Sequence, residues 1–272
     1  MLLAEPPESR YDLRFNFLGF PVRIAWTFWL GALVIGHPLC QSLAKALSGP
    51  EATGRFGIGP LLLVWILCVF LSILIHELGH ALAFRRYGFN ATIVLYHFGG
   101  LAVPHSSFQP GRSLRRMGER EDLIISAAGP ALQLLSALVV ILAVKLVGYQ
   151  VAIFRGMPVV NQIPVFVDWV SSGERIESEG LFALVSLYLF PSVLWALLNL
   201  VPVWPLDGGR ITRSVMLMSG GTIAQSLWIS IIASAVLAMY AFQNQQPIMA
   251  IFFAMFGYGS YQQLNPMNNS WR

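Results

Sequence analysis

The 272-residue chain reads as an all-α polytopic membrane protein: about six transmembrane helices, with a short β-hairpin beside one of them. Three observations lead there. Hydrophobic residues make up 56% of the chain and Asp, Glu, Lys and Arg only 11%, against roughly 25% charged residues in an ordinary soluble domain. Apolar runs of membrane-crossing length recur along the chain. The basic residues collect between alternate runs, as they do on one side of a membrane.

The first apolar run covers about 24–46 and is interrupted at His37-Pro38. The second covers about 60–84, the third 123–147, and the fourth 181–203 with Pro191 inside it. The fifth covers 223–242 and the sixth, a short one, 247–261. Arg10, Arg14 and Arg23 precede the first run; Arg85, Arg86, Arg112, Arg115, Arg116 and Arg120 separate the second from the third; Arg210 and Arg213 separate the fourth from the fifth. The loop 148–180 instead carries Asp168, Glu174, Glu177 and Glu179 against Arg155 and Arg175. The positive-inside rule then places both termini in the cytoplasm and the loop 148–180 outside it. Asn90 and Asn268 match the glycosylation pattern but fall on the cytoplasmic side, so chance accounts for both. The start, M-L-L-A-E-P-P-E-S-R, lacks an apolar h-region and is not a signal peptide. Cys40 and Cys68 sit in apolar surroundings and read as small buried hydrophobes rather than a disulfide pair. A single domain over 1–272 is expected, its core at about 60–218, with no room for an appended soluble domain.

Within the second run stands S-I-L-I-H-E-L-G-H-A-L-A-F, residues 72–84. Ionisable groups at membrane depth are expensive and mark functional sites. On a helix His76 and His80, four apart, face one point, the i, i+4 arrangement that binds zinc. Glu77 between them is placed to act as general base on a water. Such a catalytic zinc site needs three protein ligands and one open position. The site lies near the arginine-bearing end of its helix, so a water-filled cavity opening to the cytoplasm is expected.

The third ligand is less plain. Asp207, in N-L-V-P-V-W-P-L-D-G-G-R (199–210), ends the fourth run on the same side as the motif. Pro202 and Pro205 break regular helix, while Gly208 and Gly209 admit a close neighbour. On chemistry alone Asp207 is either a third ligand or the N-cap of a helix over 208–218. His37, His97 and His105 are expected to bind no metal. Between the second and third runs, β-branched and aromatic residues flank Gly99-Gly100, which suggests the hairpin.

H-E-L-G-H in an early span, followed by N-x-x-P-x-x-P-L-D-G-G-R, resembles the site-2 protease family of intramembrane zinc metalloproteases, peptidase family M50. Gly99-Gly100 falls where that family carries a glycine-bearing hairpin, and Ala128-Gly129-Pro130 is similar to its A-G-P motif. The resemblance covers about 70–213 and lacks the PDZ or CBS domains of many members, a minimal form.

The resemblance implies His76, His80 and Asp207 as ligands of one zinc ion per chain, with Glu77 as general base. It implies that Asn199 lies near the cleft, where it orients substrate or stabilises the oxyanion, and that Gly99 and Gly100 pair with an unwound substrate strand. The family often has Asn three residues after the A-G-P proline, where this chain has Gln133. The implied activity is hydrolysis of peptide bonds in or near transmembrane segments of other membrane proteins; the compact, domain-poor form leads to the expectation of a bacterial plasma membrane. The implied partners are a transmembrane protein substrate and the lipid bilayer, with no nucleic acid; oligomeric state is left open. A catalytically silent binder or chaperone of membrane proteins is the alternative. A metal transporter would carry several intramembrane acids along a path, and the hydropathy excludes a soluble protease.

Overall fold

Helix α2 is the centre of the molecule, and the other elements are arranged by what they bury against it. The computed structural model describes residues 6–47, 57–97, 99–105, 117–151, 153–154 and 163–264. Arg55, Arg112, Arg115, Arg116, Arg155 and Asn268 fall outside the described residues.

The elements run β1 (Leu13–Phe17), β2 (Phe20–Ile24), α1 (Trp26–Leu47), α2 (Ile58–Arg86), β3 (Asn90–Tyr96), β4 (Gly99–His105), α3 (Glu119–Leu146), α4 (Pro164–Ser171), α5 (Glu179–Asn199), α6 (Asp207–Met218), α7 (Ile223–Gln243) and α8 (Pro247–Leu264). Each of the six apolar runs falls on one helix: α1, α2, α3, α5, α7 and α8. Four of them, α2, α3, α5 and α7, are long and apolar enough to cross a membrane. The protein is mostly helical, an integral membrane protein with a small sheet.

That sheet amends the all-α expectation. Its order is β1-β2-β3-β4, with β1 antiparallel to β2, β2 parallel to β3 and β3 antiparallel to β4. β1 and β2 read L-R-F-N-F and F-P-V-R-I around the Leu18-Gly19 turn, a period-2 alternation too short to stand out beside the long apolar runs. Gly99 and Gly100 open β4, opposite Tyr96 and Leu95, rather than forming the turn.

α2 has 29 residues, about 43 Å of helix at 1.5 Å per residue. From Ser72 to Phe84 it is buried nearly all round, because α1, α3, α5, β3 and β4 all pack on it. Small residues permit this density. A Cβ added at Gly79 would overlap the Ala128 carbonyl, so α2 and α3 approach through their backbones, as membrane helices do where small residues face each other. Hydroxyl pairs serve the same purpose between α7 and α8: Ser230 Oγ and Ser260 Oγ lie 2.8 Å apart. Ser230 Oγ also accepts from Trp204 N at 2.8 Å, tying this helix pair to the linker before α6.

Helix ends follow their sequence signals. Thr222 and Gln225 cap α7 reciprocally, and Ser178 Oγ accepts from Leu181 N at the start of α5. Arg85 and Arg86 occupy the last turn of α2, where cations favour the helix dipole.

Candidate metal centre and cleft

His76, Glu77 and His80 are buried on α2. Asp207 is the first residue of α6, whose N-cap position belongs to Leu206, without a side-chain cap bond. The carboxylate is therefore spent elsewhere than on the helix end. Asp207 Oδ2 lies 3.1 Å from His76 Nε2 and 3.3 Å from His80 Nε2, and the two Nε2 atoms are 3.1 Å apart. Among the described residues, these three form the group whose ligand atoms converge as a metal site requires.

The triangle has the size of a metal site. Tetrahedral ligands at zinc distances of about 2.0–2.1 Å stand about 3.3–3.4 Å from one another, close to the observed edges. The outer ring nitrogens are already engaged. His80 Nδ1 is 2.7 Å from the Ile125 carbonyl, which can only accept, so this nitrogen carries the proton and Nε2 turns its lone pair inward. His76 Nδ1 is 2.8 Å from Gln133 Oε1, and Gln133 Nε2 donates to Ser72 Oγ at 2.8 Å. Two imidazole lone pairs and a carboxylate oxygen then face one point. Three acceptors so close repel one another unless a cation lies between them, and this N,N,O set suits zinc.

Close glycine contacts shape the rest. A Cβ at Gly129 would overlap His80 Nε2, so the middle residue of A-G-P leaves room for a ligand ring. A Cβ at Gly100 would overlap the Glu77 side chain, and one at Gly99 would crowd the Trp195 ring. Gly208 and Gly209 abut the backbone of 200–204, which lets α6 begin where Asp207 reaches the histidines.

A cavity opens on this cluster, lined by Glu77, Gly100, Asn199 and Arg210 together with Phe252 and Phe256 of α8. Asn199 Nδ2 donates to Trp195 O at 3.0 Å, which commits one of its two amide hydrogens. Gly99 itself lies at the start of β4 beside Trp195, outside the immediate triangle. His97 Nδ1 contacts Thr27 Oγ1 at 3.2 Å, and His105 Nε2 contacts Thr92 Oγ1 at 2.7 Å. Sequence reasoning marked Gln133 only as a departure from a pattern and did not place it at His76. The Ile125 carbonyl, as backbone, left no signal at all.

The chain is 30% identical over 203 residues to a candidate zinc metalloprotease of Synechocystis, covering 72% of this chain and 41% of that protein. It is 30% identical over 206 residues to a candidate zinc metalloprotease of Mycobacterium tuberculosis, covering 73% and 42%. A zinc metalloprotease of Methanocaldococcus jannaschii is 26% identical over 208 residues, covering 76% and 46%. The chain thus spans less than half the length of these relatives. The solved site-2 protease from the same archaeon overlaps 93% of this chain and 95% of its own at 20% identity, with a TM-score of 0.47. Residues 64–243, from within α2 to the end of α7, match the model of peptidase family M50; the chain belongs to that family.

Proposed function

We propose that the chain is an intramembrane zinc endopeptidase acting on peptide bonds in or near transmembrane segments of other membrane proteins. The observation that carries this reading is the convergence of His76 Nε2, His80 Nε2 and Asp207 Oδ2 on one point beside Glu77. These three residues would hold one zinc ion, which supplies Lewis-acid polarisation of the scissile carbonyl and lowers the pKa of water. Glu77 takes the proton from the attacking water and passes it to the leaving amine. The free amide hydrogen of Asn199 is available to the developing oxyanion.

β4 ends the sheet order, so its outer edge has no strand partner among the described residues. A helical peptide bond is shielded, and a substrate segment must become extended before it can be cut. Gly99 and Gly100 would let such a segment pair along β4, next to Glu77.

Six helices, α1, α2, α3, α5, α7 and α8, cross the membrane in this reading. Arg85 and Arg86 close α2, directly after Phe84, which lines the cavity; Arg210 and Arg213 lie on α6, and Arg210 lines the cavity as well. Asp168 lies on α4, Glu174 and Glu177 between α4 and α5, and Glu179 is the first residue of α5. By the positive-inside rule the cavity faces the cytoplasm in this reading, and the membrane proposed is a bacterial plasma membrane. The test compares purified protein with its Glu77→Gln variant for bound zinc and for cleavage of single-span substrates. Near-stoichiometric zinc in both, with cleavage only by the parent, is expected. Zinc without cleavage in either favours a silent binder, and absence of zinc from the folded protein overturns the metal site.

A further inference from the structure

The β1–β2 hairpin carries an apolar ridge that the protein leaves uncovered. Leu13, Phe15 and Phe17 are 53%, 38% and 37% exposed, and Leu18 at the turn is 61% exposed. The sheet register gives this ridge a direction. Leu13, Phe15 and Phe17 lie opposite Ile24, Val22 and Phe20, which are buried. Val22 in turn lies beside Ile93, Ile93 opposite Ala102, and Leu95 opposite Gly100, which abuts Glu77 of α2. The ridge thus continues the sheet face that packs on the helices, beyond the point where helices cover it. Arg14 and Asn16 point to the other face.

The turn adds an independent sign. Leu18 has φ 50°, a left-handed conformation that hairpin turns usually assign to Asn, Asp or Gly. A leucine there combines backbone strain with an exposed apolar tip, a poor choice for a turn in water. The tip is also fixed in height. Arg85 Nη1 donates to the Leu18 carbonyl at 3.1 Å, and the Arg85 guanidinium lies 4.4 Å from the Phe20 ring centroid. Arg85 stands in the last turn of α2, where that helix leaves the bilayer. Arg85 at the tip is exposed, as are Arg86 next to it in α2 and Arg10 three residues before Leu13, while Arg14 is paired with Glu8 at 2.7 Å, holding that carboxyl below its usual pKa.

We infer that the β1–β2 hairpin is a membrane-interfacial anchor, with Leu13, Phe15, Phe17 and Leu18 seated among phospholipids at the headgroup–acyl boundary on the Arg85 side of the bilayer. An amphipathic surface with an apolar face and basic flanks is what that boundary accepts, and lipid phosphates complement the arginines. The anchor holds the sheet, and with it β4 and the cleft, at a set depth. The inference rests on α2 being a membrane span.

Single substitutions Leu13→Cys, Arg14→Cys, Phe15→Cys, Asn16→Cys and Phe17→Cys, each with Cys40→Ala and Cys68→Ala, would be spin-labelled and placed in phospholipid nanodiscs. Collision with oxygen is compared with collision with a soluble nickel chelate. Oxygen should dominate at 13, 15 and 17, nickel at 14 and 16, with a severalfold alternation in their ratio. Leu67→Cys, on the exposed side of α2, is the control for the membrane reading. Nickel dominance at all five hairpin positions with oxygen dominance at 67 overturns the anchor and leaves the ridge to a protein partner. Nickel dominance at 67 overturns the span itself. Hydroxyl-radical footprinting of the unsubstituted protein in nanodiscs gives a readout independent of labelling: Phe15 and Phe17 should be protected, and strong oxidation of both would overturn the anchor.

Discussion

Gln133 Oε1 accepts from His76 Nδ1 at 2.8 Å, and Ser72 Oγ accepts from Gln133 Nε2 at the same distance. Ser192 Oγ continues the chain, 3.0 Å from Ser72 Oγ. A buried amide, itself held by a hydroxyl, fixes which nitrogen of His76 turns toward Asp207. Partners of this kind set the tautomer and basicity of a metal-binding histidine.

Replacing Gln133 with Leu keeps much of its volume but removes that acceptor. Zinc affinity should fall about 10- to 100-fold, read by chelator competition, with the melting temperature of the metal-free protein little changed. Gln133→Asn, one methylene shorter, should lie between Leu and the parent. Ser72→Ala should cost less and be non-additive with Gln133→Leu, because both act through one hydrogen-bond chain.

Gly100 separates zinc binding from proton transfer. A Cβ there would overlap Glu77, to which the three nearest atoms all belong. Gly100→Ala should retain zinc and lose cleavage by about 10²-fold or more, the scale of general-base catalysis. Single-turnover cleavage beside a zinc titration checks both.

Gly129→Ala should do the reverse. Its methyl would meet the His80 ring at Nε2, displacing a ligand and overpacking the α2–α3 contact. Zinc binding should be lost, and stability should fall by about 1–3 kcal/mol, measured as a thermal shift of the metal-free variant.

Ser230 lies outside the cleft yet bonds both Trp204 N and Ser260 Oγ. Ser230→Val should leave the Trp204 amide unsatisfied and loosen the linker that delivers Asp207. A stability loss of about 1–3 kcal/mol is expected, together with weaker zinc binding; Ser260→Val, which spares the Trp204 bond, should affect zinc much less.

The sequence by itself determined the elements whose signals are local. Apolar runs placed six helices, because hydropathy and helical period are read within one segment. H-E-L-G-H put two imidazoles on one helical face for the same reason. The charge pattern predicts a membrane orientation in the same local way. Asp207 stayed open between ligand and N-cap, since both fit an acid after a helix break.

Only the tertiary structure decided what meets across the chain. It brought Asp207 to His76 from 131 positions away and set Gln133 and the Ile125 carbonyl behind the two rings. It also moved Gly99 and Gly100 from a supposed turn into an edge strand, and joined β1 and β2 to that strand in one sheet. These relations depend on how closely α2, α3 and the sheet can approach, and that distance is set by glycines whose missing side chains have no period to read. The physical reason is one of range: periodicity reports which face of a segment is apolar, whereas a metal site and its supporting hydrogen bonds are made by the faces that packing brings together.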